Sequence, residues 1–380
     1  RNTMADTMFF SRDTKVYVAP LAADGITEQA LFEIPVLDGF SFSQATNSSE
    51  VTLNEMSAGS NASRRGRKMF NDSLAPAEWS FSTYARPFVS AGGGGTGDSD
   101  DAANTHAVEE VLWAMMVGDA SYASHTFNNI TNGNAGAGAS ISFANSNVTT
   151  LGIANIYFVL GKTAGDNGGE VTYKLSKCCV NEVGVDFDID GITTLNWSGQ
   201  GAELIEAANL TTTSAVVEGT LATQTSNFIR NRLTELVASN AAGQAQTLTL
   251  TGGNITISNN MTFLTPETLG VVNTPLSHVT GTRSVSGSFT CYLSSTANSS
   301  MDLFEALVED KSTVTHDFDL EFKIGGAAAP NLIFDMPSCH LEVPSHSIED
   351  VISLEVNFHA LGTDIDSTDE VAVKYLGKTL

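Results

Sequence analysis

The sequence predicts a mainly β chain made of two similar halves, each carrying one short α-helix. Three observations carry that prediction. The first is a long internal repeat: Val171–Gly201 returns as Leu332–Gly362 at a constant offset of 161 residues. Cys178 falls on Cys339, Asn196 on Asn357, Trp197 on Phe358 and Gly201 on Gly362. Large apolar residues recur in register, Tyr173 with Phe334, Leu175 with Met336, Phe187 with Ile348 and Leu195 with Val356. One fixed period of this length denotes a duplicated domain, not a solenoid. The second observation is period-two alternation, clearest in Val183–Ile189 and Asp317–Phe322, which marks half-buried strands. The third is composition: charged residues are only 16%, with Ser, Thr, Asn and Gly filling the difference, a mix that suits sheets with polar outer faces and many turns.

Taken in order, Lys15–Pro20 alternates as a short strand, and residues 30–43 hold two apolar alternations split at Asp38-Gly39, which predicts a hairpin turn. A polar stretch, 51–71, follows. Glu78–Val89 predicts a strand and 90–105 a Gly-rich flexible loop. Thr105–Val117 predicts a helix capped by Thr105, with Glu109 and Glu110 early and Gly118 at its end. Residues 119–150 form a Gly/Asn/Ser-rich insertion. In the second half, Ser300–Glu309 predicts a helix with Ser299 or Ser300 as cap, and Glu370–Tyr375 a last strand. Extending the repeat backwards sets Tyr157 and Val159 on Phe318 and Leu320, the helix around Trp113 on that around Phe304, Trp79–Tyr84 on Gly287–Tyr292, Phe40–Ser43 on Ile255–Ser258, and Val16–Val18 weakly on Phe228–Arg230. The expected boundaries are 1–205, with insertions near 90–105 and 119–150, then 227–380. The linker, 206–226, lies in the polar stretch Glu203–Asn227.

Charge excludes whole classes of partner. Forty-three acids against 18 bases give a net charge of −25, which repels nucleic acid and anionic membrane alike. No run is apolar and long enough to span a membrane, and the stretch RNTMADTMFFSRDTK has no signal-peptide core; Met4 is a candidate start. The four cysteines, with Cys178 and Cys179 adjacent, make neither a disulfide framework nor a CxxC pair and read as small buried residues.

The motifs that would carry chemistry fail on spacing. Asp186, Asp188 and Asp190 imitate the start of a calcium loop, but the twelfth position is Trp197 and the flanks alternate like strands. Alternation instead puts Val183, Val185, Phe187 and Ile189 inside and the three aspartates outside; Asp317, Asp319 and Glu321 repeat that pattern in the second half. The seven histidines lack ligand spacing, Gly92–Gly97 has no phosphate-loop lysine, and there is no Gly-x-Ser-x-Gly elbow. No catalytic, cofactor or metal residue is therefore singled out. Arg64, Arg65, Arg67 and Lys68 place four bases within five residues of an acidic chain. They are expected at a contact with an acidic surface of a neighbouring subunit, the bland reading being a solvated loop.

With its duplicated strand-rich block, one short helix per half, the opening Asn227–Leu233 of the second half and its acidic composition, the chain resembles the major tail tube proteins of long-tailed, siphovirus-type bacteriophages. The resemblance implies two fused β-sandwich or barrel domains per chain. Three chains would then make a pseudo-hexameric ring, and rings would stack into a tube that conducts DNA during ejection. It implies as partners the chain itself, the tape measure protein, tail-tip and tail-terminator proteins and double-stranded DNA in passage, with no membrane and no cofactor. It implies a place in the virion tail, after assembly in the host bacterial cytoplasm. On this reading at least one of the triplets Asp186, Asp188, Asp190 and Asp317, Asp319, Glu321 lines the channel. Two alternatives come from other classes. A secreted β-sandwich carbohydrate-active enzyme needs paired carboxylates in a cleft with exposed aromatics, whereas Trp79, Trp113 and Trp197 lie on apolar faces. A self-assembling surface-layer or adhesin protein is expected to bring a signal peptide.

Overall fold

One strand of 18 residues, Val171–Asp188, organises the molecule. In the computed structural model, which describes residues 9–51, 57–58, 62–63, 68–90, 103–118, 120–143, 150–162, 170–207, 210–211, 227–239, 244–309, 318–348, 350–365 and 367–379, the chain is mainly β. The strands used below are β1 (Phe9–Pro20), β2 (Phe32–Ile34), β3 (Ser41–Ser43), β4 (Ala77–Tyr84), β5 (Ala139–Ser142), β6 (Ala154–Lys162), β7 (Val171–Asp188), β8 (Thr194–Gly201) and β9 (Glu203–Ala207) in the first half. The second half has β10 (Glu235–Ser239), β11 (Ala245–Leu248), β12 (Leu250–Ser258), β13 (Ser284–Tyr292), β14 (Phe318–Ile324), β15 (Asn331–Leu341), β16 (Ser345–Ser347), β17 (Ser353–Ala360) and β18 (Ala372–Leu376). The helices are α1 (Glu110–Val117) and α2 (Ser300–Glu309).

The N-terminal part of β7 lies between β6 and β9, with β1 and β2 beyond β6. Its C-terminal part lies between β8 and β12, with β4 and β3 beyond β8. The strand changes sheet at a bulge: Lys177 has φ 51°, and the register against β6 shifts between Ala154 and Ile156. Cys178 sits there, opposite Ala154, its Sγ 3.5 Å from the Leu175 carbonyl oxygen. The second half builds the same corner. β15 pairs with β14 across a shift between Phe318 and Leu320, Cys339 lies opposite Phe318, and its Sγ is 3.6 Å from the Met336 carbonyl oxygen. Beyond the corner β15 pairs with β17, then β13 and β12; before it, with β14, then β10 and β11.

Several sequence expectations are corrected here. Cysteine corners equate Ile156 with Leu320 and Phe158 with Phe322, so the constant offset does not extend to β6. The connection from Ile324 to Leu332 is shorter than that from Leu160 to Val171, which moves the strand relative to the offset and reverses its face. Tyr157 and Val159 accordingly join Tyr17 and Ala19 in a small separate cluster. β10, not Phe228–Arg230, takes the place of β1. Asp38-Gly39 makes a turn, but β2 pairs with β1 and β3 with β4, so it joins two sheets instead of closing a hairpin. Thr105–Ala107 is a strand paired with Pro87–Val89, and α1 begins only at Glu110 with no side-chain cap. The strand expected over 78–89 breaks between Tyr84 and Pro87, and Glu203–Ala207, the beginning of the polar stretch, forms β9.

Both halves feed one core. Trp113 of α1, fully buried, lies 5.1 Å from Trp197 of the first half and 6.3 Å from Phe334 of the second. Phe187 packs 5.6 Å from Phe322, opposite Gly253, where a Cβ would collide with its ring. α2 is peripheral, with Phe304 edge-on to His346. Phe187→Ala should therefore cost about 3–5 kcal/mol, and the chain should still unfold in one transition, because the ring is shared. Urea titration followed by tryptophan fluorescence and far-UV circular dichroism checks this: non-coincident curves would mean independent cores.

Candidate functional site

β3, β4, β8, the C-terminal part of β7, β12, β13 and β17 form one continuous sheet across the two halves. Its inner face is apolar: Trp79, Phe81, Val183, Val185, Phe187, Leu195, Trp197, Ile255, Ile257, Phe289, Val356 and Phe358 are all buried. Strand periodicity turns the alternate residues outward. Those residues are overwhelmingly Ser, Thr and Asn with a few acids. Asn196 lies between Ser82 and Gly184, Gly184 beside Thr256, Thr256 beside Ser286 and Ser286 beside His359. The adjacent row runs Thr194, Asp186, Asn254, Ser288, Asn357. None of the residues in these strand segments is Lys or Arg, and the acids Glu78, Glu182, Asp186, Asp188 and Glu355 are exposed. Cross-strand bonds hold the face in place: Ser82 Oγ donates to Asn196 Oδ1 (2.7 Å) and Asn196 Nδ2 to Asp186 Oδ2 (3.2 Å).

The two predicted acidic triplets do not come together. Asp186 and Asp188 stand on the polar face. Asp190 lies beyond the end of β7, 3.5 Å from the exposed Arg232 guanidinium, a contact of little energetic weight. Ile189, expected inside, is exposed because β7 has ended before it. Asp319 and Glu321 are on β14, in the other layer. Glu321 faces Asp335 across the strands and takes Lys323 Nζ at 2.6 Å. Burial and neighbouring carboxylates raise the pKa of both Asp319 and Asp335. Asp317, Arg64, Arg65 and Arg67 lie outside the described residues.

Two arms leave the same end of the polar sheet. The first runs between β3 and β4 through the pair Thr46–Glu50 and Met69–Leu74, whose residues are mostly exposed. Lys68 is exposed at its return, its Nζ 5.1 Å from the Phe70 ring centroid. The second runs between β12 and β13 through the pair Thr262–Leu264 and Ser277–Val279. It is pinned to the first half: the Leu151 N–H donates to His278 Nε2 (3.1 Å), which leaves Nδ1 to donate to Cys179 Sγ (3.1 Å). Its far loop is tied to the first arm through Asn273, which accepts from the Leu74 N–H and donates to the Asp72 carbonyl.

Glu109 and Glu110, which sequence reasoning placed early in the helix, are both buried. Glu109 Oε1 accepts from Tyr375 Oη (2.6 Å), which in turn receives the Trp113 indole N–H (2.7 Å). Glu110 accepts from the Ala107 and Asn132 nitrogens and lies 2.9 Å from His106 Nδ1. These bonds join α1 to β18, which pairs with β5 of the insertion and with β15. Sequence offered one signal for this: two adjacent glutamates beside the all-apolar run VLWAMMV.

Compared with known proteins, residues 56–360 match the family described as phage tail tube protein. The chain is also similar to the tail tube protein pb6 of Escherichia phage T5, being 31% identical over 378 residues that cover 96% of this chain and 75% of that protein.

The buried carboxylate makes a pH-dependent prediction. Burial raises the Glu109 pKa from 4.5 to about 7. A raised carboxyl stabilises the folded state fully below its unfolded value, and that contribution is lost as pH rises through about 7. Thermal melting of the wild-type chain should therefore fall relative to Glu109→Gln as pH is raised from 5 to 8. Parallel curves would mean that Glu109 does not titrate in this window.

Proposed function

The chain belongs to the phage tail tube protein family, and from that premise we propose how it builds its tube. It is a structural component of the virion tail, and its family points away from an enzyme. Residues 1–205 and 227–380 act as two fused tube domains joined through 206–226. Three chains close a pseudo-hexameric ring, rings stack, and the polar sheet face turns to the lumen. The observation that carries this reading is the junction inside the chain, where Glu182–Asp188 of β7 pair with Gly252–Ser258 of β12 and make one sheet of two halves.

That junction supplies a pattern for closure. Among the described residues, β3 is paired on one side only, by β4, and β16 on one side only, by β17. These are the two lateral edges of the sheet. β3 occupies in the first half the position that β12 occupies in the second. A neighbour's β3 can therefore meet the β15–β16 edge much as β12 meets β7, and unsatisfied strand edges are removed by closing the ring. The lumen wall is then Ser, Thr and Asn with Asp186 and Asp188 among them, while Asp319 and Glu321 stay in the outer layer. A wall without Lys or Arg gives the phosphate backbone no counterion to displace, so DNA moves through it without being held. The tape measure protein fills the lumen before DNA does. Tail-tip and tail-terminator proteins meet the ends, and assembly takes place in the host cytoplasm. Arg64, Arg65, Arg67 and Lys68, in the sequence between β3 and β4, contact carboxylates of a neighbouring subunit.

Three experiments test the reading. Electron microscopy of assembled tubes should resolve three chains per ring around an open channel, whereas six chains per ring would remove the two-domain basis of closure. Asp186→Lys with Asp188→Lys should leave tubes intact but make them retain double-stranded DNA in a salt-dependent way; variant tubes as indifferent to DNA as wild type would place these residues away from the channel. For the basic cluster, replacing all four residues with Ser should impair assembly with little change in melting temperature, since exposed ion pairs contribute roughly 0–1 kcal/mol. Tubes of normal yield would return the cluster to a solvated loop.

A further inference from the structure

We infer that the second arm carries a pH-sensitive latch: the neutral imidazole of His278 fastens it to the first half of the chain, and protonation of that ring releases it. The inference concerns the single chain and stands apart from the tube reading.

The latch joins segments far apart in sequence. His278 lies on the returning strand of the arm, opposite Phe263. Its ring meets Leu151 and Cys179 of the first half, which cluster with Met261 at the base of the arm, and all four residues are buried. The two ring nitrogens have different tasks. A backbone N–H can only donate, so Nε2, 3.1 Å from the Leu151 nitrogen, must offer its lone pair. The ring proton is then on Nδ1, aimed at Cys179 Sγ at 3.1 Å. A second proton, on Nε2, sets two donors against each other. It leaves the Leu151 N–H without an acceptor and puts a cation in an apolar site.

Among the described residues nothing offsets that cation. Burial pushes the Cys179 thiol up, so it stays neutral. Cys178 turns its Sγ to the Leu175 carbonyl oxygen, and Lys177 and Glu182 on the same strand are exposed. Residues 144–153 hold no ionisable side chain, and the only charged residue between Thr262 and Val279 is Glu267, which is exposed. The Phe263 ring, 6.3 Å away, is apolar. Burial accordingly lowers the His278 pKa from 6.5. A lowered imidazole pKa stabilises the latched state fully above 6.5, and that contribution is lost as pH falls from there to the folded value.

The opening is bounded. At the base of the arm Asn259 Nδ2 donates to the Met116 and Val180 carbonyl oxygens, the Met261 N–H donates to Asn181 Oδ1, and the Gly281 N–H donates to the Asn259 carbonyl. None of these groups titrates. The arm therefore swings beyond Met261, while β12 and β13, which meet it at Ser258 and Ser284, keep their register. Asn273 is bonded to Asp72 and Leu74 of the first arm, whose strands are mostly exposed, so that contact moves with the arm.

Hydrogen exchange of the full chain, unassembled and followed by mass spectrometry from pH 7.5 to 5, tests the latch. After correction for the intrinsic pH dependence of exchange, peptides covering 262–279 should speed up below pH 6.5 by about tenfold per pH unit until the folded value is reached, the slope of a single proton. Peptides covering 182–188 and 252–258 should not change. His278→Gln keeps an acceptor for the Leu151 N–H but does not titrate, so its arm should stay protected throughout. Corrected rates in wild type that ignore pH, a rise that includes the reference strands, or a Gln variant that opens in acid like wild type overturns the inference. Should circular dichroism show the Gln variant misfolded, the wild-type slope and the reference strands still decide.

Discussion

The structure depends on β7 serving two sheets and two halves at once. A straight strand could not do so. The bulge at Lys177 and Cys178 turns it, so that Leu175 and Val185 both face the core although they belong to different sheets. Its C-terminal half then has neighbours on both sides, β8 from its own half and β12 from the other. Backbone pairing fixes the halves rigidly, and the aromatic contacts of Trp113 and Phe187 across the same junction fill the space behind it. A hinged pair of domains would have left β7 and β12 as two further open edges, each a liability in solution. Burying that junction inside the chain leaves β3 at one side of this sheet and β16 at the other as its edges among the described residues.

The charge of −25 is not spent on one surface. The polar sheet achieves its lack of cations mainly through Ser, Thr and Asn, with acids interspersed. That solution avoids the self-repulsion a wall of carboxylates would bring. The other layer shows the cost of denser packing: Asp319, Glu321 and Asp335 crowd together, the pKa values of both aspartates rise, and Lys323 is drawn onto Glu321. Neutral hydroxyls and amides bond to one another across strands and leave the face polar at any pH.

How much of this was legible in the sequence follows from which interactions are local. Alternation in Val183–Asp188 fixes which side of β7 is buried, because strand geometry is a two-residue property. It fails at Ile189, where a strand end is set by its partner and not by its own residues. Cys178 and Cys339, aligned by the repeat, both sit at corners, since a bulge moves with its own sequence. The same offset failed one strand earlier, because a hairpin of different length intervenes. Thr105 has every local mark of a helix cap, yet Pro87–Val89 claims it as a strand, a long-range pairing that propensity does not encode. The polar face was legible only in part. Acidic triplets drew attention, whereas the Ser, Thr and Asn between them look like ordinary surface until registers put them in rows. Likewise nothing local in 264–276 says that the fold leaves its aliphatics outside.

On the proposed reading, the fold separates the directions of growth. Lateral edges are strands, where backbone groups set a register and a fixed angle suits a closed ring. The two poles of the strands differ: both arms leave one, and β12 and β13 end at Leu250 and Tyr292 at the other. Ring closure demands precision because an error of one residue would expose the core face. Stacking needs polarity more than precision, and both arms leaving the same end of the sheet supply it. A single pole bearing both arms gives successive layers the same orientation without any symmetry between the two ends. On the proposed reading, closure and stacking are then set by different residues, so each can be altered without disturbing the other or the shared core that holds the two halves of the chain together.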